Sequence, residues 1–288
     1  MFININTPNN MRFNKYKIAL WICLVVFTLG FSACGEYQAI LKSKDPDLKY
    51  QKALTYFNDG QYVKAQTLLD EVTAYYRGTD RSQDVLIYLS RSYMGQKDYS
   101  SAAEYYQAYI RNYPKGRYIT EARFQVGHCY YLNSPDARLD QMETKKSIEF
   151  FTQFVELYPE SPYAQQAYQE MNELYDKLAY KEYLSAKLYY NLGTYLGNNY
   201  LSAEIVAKNA MKTYPTNQYQ EELNWLILQA KYQQVVNSVD NKREERARET
   251  EDEYYSFVTQ HPDSKHIPAA EKIHKEISKI LKQDTPTE

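Results

Sequence analysis

Four times the chain writes an aromatic ring, a proline, a few polar residues and then the start of a new helix. The phrases are RNYPKGRYITEA, ELYPESPYAQQA, KTYPTNQYQEEL and TQHPDSKHIPAA, around Pro114, Pro159, Pro215 and Pro262. Proline cannot continue a helix, and it pushes the residue before it out of α geometry. Each phrase therefore reads as a stop followed by a restart, and Ser161 with Pro162 fits an N-cap with proline at the first helical position. A fifth, degenerate copy is AYYRGTDRSQDV, with Arg77 at the proline position. The chain has only 9 glycines and no sustained alternation of apolar and polar residues, so helices are expected throughout.

Small and large positions recur between the stops. Leu86, Leu89, Ser90, Tyr93, Tyr99, Ala102, Tyr106 and Pro114 fall at the spacing of a tetratricopeptide repeat (TPR), a 34-residue helix–turn–helix. Ala53, Tyr56, Tyr62, Ala65 and Leu69 repeat the same offsets one unit earlier. One such pair cannot bury its apolar face alone, so successive pairs must stack. The expected fold is all-α, a TPR superhelix of about five helix pairs plus a C-terminal capping helix. The third unit carries about eight extra residues, NSPDARLD, between its helices. Tyr163 to Leu192 contains no Gly or Pro and predicts one long helix, to about Leu196. Further helices are expected over Tyr200–Thr213, Tyr219–Val236, Lys242–Gln260 and Ile267–Leu281. The mixed-sign run Asn241 to Tyr255 reads as a solvated helix face laced with i,i+4 pairs, with a partner surface as the sharper alternative.

The first residues follow another logic. Arg12, Lys15 and Lys17 precede the apolar run Ile18 to Phe31, and the small residues Ser32 and Ala33 lead into Cys34. This is the layout of a secretory signal, and the run is shorter than the roughly 20 residues of a spanning helix. Phe31-Ser32-Ala33-Cys34 resembles a bacterial lipobox. That resemblance implies lipidation of Cys34, which would become the new N-terminus, and two or more acyl chains give stable anchoring. The expected organisation is a signal peptide over 1–33, a lipidated linker over 34–47, a TPR solenoid over 48–282 and a disordered tail over 283–288. With Cys23 in the signal and Cys34 carrying lipid, Cys129 is the single remaining thiol, so no disulfide frame is expected. It is expected to be a buried core thiol.

Composition excludes several functions. Removing Arg12, Lys15 and Lys17 from 34 basic residues leaves 31 against 36 acidic ones, a net charge of −5, which argues against nucleic acid. His128, His261, His266 and His274 form no metal-ligand spacing, and there is no glycine-rich phosphate loop and no G-x-S-x-G. No enzyme, metal or cofactor is expected. Stacked helix pairs instead offer a wall formed by the first helix of each pair. Phasing places Tyr50, Leu54 and Phe57, then Ile87, Arg91 and Met94, then Phe124, His128 and Tyr131 on it. An extended peptide with large side chains would suit this set, with Arg91 taking a carboxylate or a backbone carbonyl.

The lipobox, the repeat units, the long helix of the fourth unit and the Tyr-Pro cadence together resemble the BamD family of β-barrel assembly lipoproteins. The resemblance is densest from Ser147 to Tyr190, where Leu178, Ala179, Glu182, Ala186, Tyr189 and Tyr190 carry the family's pattern. It implies an anchor at Cys34 in the inner leaflet of the outer membrane, facing the periplasm. It further implies N-terminal units that receive unfolded outer-membrane protein substrates, and C-terminal units that hold a BamA-like barrel subunit. Two rival readings share the fold: a periplasmic scaffold for division or peptidoglycan synthesis, and a surface glycan-binding lipoprotein.

Overall fold

The computed structural model describes residues 35–283, and all its regular structure there is helical. Cys34 and the signal segment lie outside the described residues, as does the tail after 283. In chain order the helices are α1 (35–42), α2 (Pro46–Asn58), α3 (Tyr62–Thr73), α4 (Arg81–Gly95), α5 (Tyr99–Asn112), α6 (Ile119–Asn133) and α7 (Met142–Leu157). They continue as α8 (Ala164–Leu192), α9 (Asn199–Thr213), α10 (Gln220–Val236), α11 (Asp240–Gln260) and α12 (Ile267–Gln283). The described residues divide into two units, one up to Ala122 and one from Arg123 onward. In the first, α2 packs on α3, α3 on α4 and α4 on α5, and α2 also touches α4. In the second, α7 to α12 pack in sequence, with α8 also touching α10 and α10 touching α12. First helices of successive pairs thus meet side by side within each unit, which is the TPR arrangement.

The small residues at the repeat offsets do what that packing demands. Ala53, Ala65, Ser90 and Ala102 are fully buried, as are Leu69, Leu89 and Tyr106. In the second unit Ala186 packs with Ala207, Ala210, Leu223 and Ile227. Absent bulk lets helix backbones approach, and the aromatic rings fill the space between them.

The aromatic–proline phrase has one conformation, used four times. Tyr113, Tyr158, Tyr214 and His261 end their helices at φ −133, −135, −125 and −132°, each still donating its N–H to the carbonyl four residues back. The carbonyl of each then accepts from the residue three positions on, at Gly116, Ser161, Asn217 and Ser264, closing a turn with proline at its second position. The degenerate copy keeps the bond, Thr79 to Tyr76 at 3.0 Å, without the proline. The last turn residue then accepts the N–H two residues further on: Ser161 Oγ from Tyr163, Asn217 Oδ1 from Tyr219, and Ser264 Oγ from His266. Ser161 is therefore a turn residue. Helix α8 starts at Ala164, two residues later than an N-cap at Ser161 would place it.

Two other expectations shift. The long helix stops at Leu192, because Gly193 adopts φ 58°, ψ −118° and terminates it before Leu196. The segment read as a linker contains helix α1, whose Ile40 is buried in the cluster of Tyr50, Ala53 and Leu68. In α11 the charged run makes the short-range pairs expected of a solvated face, Arg248 with Glu244 and Lys242 with Glu245.

Candidate protein-binding surfaces

In the first unit the expected wall residues divide by depth. Tyr50 and Ile87 are buried, and Tyr50 sits edge-on to Tyr76, 5.7 Å between centroids. Leu54, Phe57 and Met94 keep part of their surface open. Phe57 stands edge-on to Tyr62 and Tyr88, at 5.5 and 5.1 Å. Arg91, expected to offer its charge to a ligand, is already engaged. Its Nε meets Glu121 Oε1 at 2.7 Å and a terminal nitrogen meets Glu121 Oε2 at 2.5 Å. The guanidinium also lies over the rings of Tyr88 and Tyr118, at 5.2 and 5.3 Å. A two-pronged bond of this kind holds planar geometry as well as charge. Arg91 is thus a tie between α4 and the start of α6. The open part of the wall in this unit is apolar and aromatic.

In the second unit Phe124 is buried, stacked on Tyr163 at 4.9 Å. His128 and Tyr131 follow it along α6 with rings nearly parallel. His128 Nδ1 lies 2.8 Å from Glu170 Oε2, and Tyr131 donates to Glu173, so both rings are tied to α8. Cys129 is buried, and that burial pushes the pKa of its thiol up to about 12, which suits a core residue. Among the described residues no group of three His, Cys, Asp or Glu side chains could hold a metal ion, and no helix is long and apolar enough to cross a membrane.

Two features were not singled out from the sequence as surfaces. The first is apolar. Leu188, Leu192, Tyr195, Leu196, Leu201 and Ile205, around the end of α8 and the start of α9, are all exposed, Tyr195 by 68% and Leu196 by 90%. Hydrogen bonds hold the connecting turn: Tyr195 N–H to Leu192, Asn199 N–H to Gly193, and Asn199 Nδ2 to the Tyr195 carbonyl at 2.7 Å. Leu196 itself sits at φ 55°, a strained conformation for a non-glycine residue. From Tyr183 to Ala203 the sequence has no acid and a single charge, Lys187, which marks the stretch in the sequence itself. Exposed apolar side chains gathered in one stretch mark interaction sites. The second feature is a cavity of about 420 Å³ beside the NSPDARLD insertion, lined by the insertion, α8 and the turn before α10.

A family model described as Outer membrane lipoprotein (YfiO) matches residues 42–198. The outer membrane protein assembly factor BamD of Pasteurella multocida (strain Pm70) is 25% identical over 185 residues, covering 61% of this chain and 70% of that protein. Among solved structures, a thermophilic TPR protein of Thermus thermophilus, TTC0263, is 12% identical at a TM-score of 0.32, covering 82% of this chain and 99% of that one. The apo form of RapI is 11% identical at a TM-score of 0.34, covering 93% and 99%. The family match takes in more than half of the chain, running from the end of α1 through the long helix α8 to the exposed turn that follows it. The chain belongs to the YfiO family of outer membrane lipoproteins.

Proposed function

We propose that this protein is a scaffold subunit of the machinery that assembles β-barrel proteins into the outer membrane. Acylated Cys34 anchors it in the inner leaflet, facing the periplasm. The family match over residues 42–198 carries the reading, and the matched relative is named an outer membrane protein assembly factor. The helices of the second unit hold a BamA-like barrel subunit. The exposed apolar stretch from Leu188 to Ile205 supports this, since it leaves large side chains in solvent that a permanent partner would cover. The first unit receives unfolded outer-membrane protein substrates on the partly open rings and side chains of Leu54, Phe57 and Met94. No chemistry or cofactor enters: binding two partners at once raises the effective concentration of substrate at the barrel subunit.

The test is a pull-down from outer membranes solubilised in mild detergent, using a C-terminal tag and mass spectrometry. A stoichiometric barrel protein with periplasmic repeats, lost with Tyr195→Ser/Leu196→Ser, supports the reading. Cell-wall synthases recovered without such a barrel would sink it. Cys34→Ser is expected to move the chain from the membrane to the soluble fraction.

A further inference from the structure

The cavity beside the insertion is a built feature. Its outer wall is Ser134 to Ala137 of the insertion, a loop that the TPR template does not require. Lys177 donates to Ser134, 2.7 Å to Oγ and 3.3 Å to the carbonyl, and Lys181 donates to the Leu139 carbonyl at 2.8 Å. Gln141, buried at the foot of the loop, donates to the carbonyls of Asp136 and Leu139 at 2.8 and 3.1 Å. The opposite wall carries two tyrosines, Tyr180 and Tyr219, stacked at 4.9 Å. A volume near 420 Å³ is at the small end of ligand sites and suits one large side chain.

Its charge is out of balance. Asp136, Glu173 and Asp176 line it with Lys177 as the one cation. None of the three carboxylates forms an ion pair among the described residues. Each is held instead by neutral donors: Asp136 by the Arg138 N–H, Glu173 by the Tyr131 hydroxyl, and Asp176 by the N–H and side chain of Gln218 at 2.9 and 3.2 Å. Elsewhere between neighbouring repeats Glu121 has Arg91 and Glu222 has Lys265, while Glu276, like Glu173, is held by a tyrosine hydroxyl. Lys177 spends its donors on the loop, and burial lowers its pKa against the pull of Asp136 and Glu173. The lining therefore has a formal charge of −2, three carboxylates against one ammonium. The carboxylates are not grouped as a metal site would group them.

We infer that this cavity is a socket for one basic side chain, an arginine, presented by an extended segment of a partner protein. A guanidinium is planar, stacks on a tyrosine face, and can bond two carboxylates at once, whereas an ammonium is a compact and more strongly hydrated charge. Asp136, Glu173 and Gln218 are exposed at the mouth, so a side chain can reach it from solvent. The inference is independent of which assembly the protein serves.

The probe is a blocked pentapeptide, acetyl-Gly-Ala-Arg-Ala-Gly-amide, titrated against the purified chain by NMR line broadening of the peptide. Its counterpart carries citrulline, the neutral isostere of arginine. The expected result is saturable binding of the arginyl peptide, with the citrulline peptide weaker by about tenfold or more. Asp136→Asn/Glu173→Gln keeps the acceptors for Arg138 and Tyr131 while removing two charges. It should lose about tenfold in affinity at an unchanged melting temperature. If that double variant fails to fold, Glu173→Gln alone gives the same reading. No saturation up to about 5 mM, equal binding of citrulline, or undiminished binding by the folded variant overturns the socket. Tighter binding of a glutamyl peptide also overturns it and assigns the cavity to Lys177.

Discussion

The hydroxyl of Tyr109 accepts the backbone N–H of Tyr118 at 3.0 Å and donates to Gln83 Oε1 at the same distance. At the corresponding place in the three other aromatic–proline turns, a serine or asparagine of the turn itself accepts that N–H. Here the turn residue is Gly116, and a Cβ on it would lie 2.4 Å from the Tyr109 oxygen. The glycine makes room for a hydroxyl borrowed from the preceding helix, so α5 and the start of α6 are bonded through one side chain.

Gly116→Ser should therefore destabilise the first unit although it copies the sequence of the second aromatic–proline turn. The overpacking is expected to cost about 1–3 kcal/mol. Tyr109→Phe alone removes the acceptor and should cost a similar amount, about 1–3 kcal/mol. In the double variant the serine hydroxyl takes over the Tyr118 N–H, so the loss should be smaller than the sum of the two singles. A double-mutant cycle in urea unfolding reads this out.

Arg91→Lys keeps the charge and loses the two-pronged bond to Glu121 together with the stacking between Tyr88 and Tyr118. A loss of about 1–2 kcal/mol is expected, with Arg91→Met no worse than Arg91→Ala. If instead Arg91 serves a ligand, Arg91→Lys would leave stability untouched and weaken peptide binding alone.

Two carboxylates of the second unit should respond oppositely to acid. Burial raises the pKa of Glu204, but hydrogen bonds from Lys208 and Gln234 and the charge of Lys231 outweigh it, and the net shift is downward. A depressed carboxylate stabilises the fold above its unfolded value near 4.5, and that contribution is lost as pH falls through the folded value. Burial dominates at Glu253 and raises its pKa, so its charge costs stability at neutral pH and the cost disappears on protonation. Glu204→Gln should accordingly lower the melting temperature at pH 7, with the difference shrinking below about pH 4.5. Glu253→Gln should raise it at pH 7, with the gain shrinking as pH falls. Melting curves measured from acid to neutral pH separate the two signs.

The turn after α8 gives a contrast between two neighbouring positions. Gly193, at φ 58°, ψ −118°, occupies a region reserved for glycine, and a Cβ there would also approach the Tyr200 hydroxyl at 2.9 Å. Gly193→Ala should cost about 1–3 kcal/mol. Leu196 has a positive φ with its side chain in solvent. Leu196→Gly should be neutral or stabilising by up to about 1 kcal/mol in the isolated protein, because it relieves strain and buries nothing less. If the isolated protein instead loses stability, Leu196 is packing where the structure shows it exposed.

The helices were legible because their ends are local chemistry. A proline and the aromatic residue before it set a turn through bonds between near neighbours in the chain, and the small residues of the repeat advertise close helix contacts. Leu192 as the end of α8 was also within reach, since Gly193 stands immediately after it, but a glycine's sign of φ is invisible until its neighbours compel it. The wall was less legible. Tyr50, Leu54 and Phe57 share one face of α2 by spacing, and so do Ile87, Arg91 and Met94 on α4. Helical periodicity states that a face is shared, but not how deep each position on it lies. Tyr50, Ile87 and Phe124 proved to be core, and Arg91 found Glu121, thirty residues away.

By itself, then, the sequence determined an all-helical chain of paired TPR-type elements and most of the places where its helices stop, and it carried the resemblance to the family. The first two properties rest on backbone stereochemistry and on residue size at fixed offsets. Only the tertiary structure decided which rings are buried and which charge is already paired. It also decided that the NSPDARLD insertion, pinned by two lysines from the distant helix α8, walls a cavity of uncompensated negative charge. Such features depend on which side chains from distant segments arrive at the same point, and no local pattern encodes that arrival.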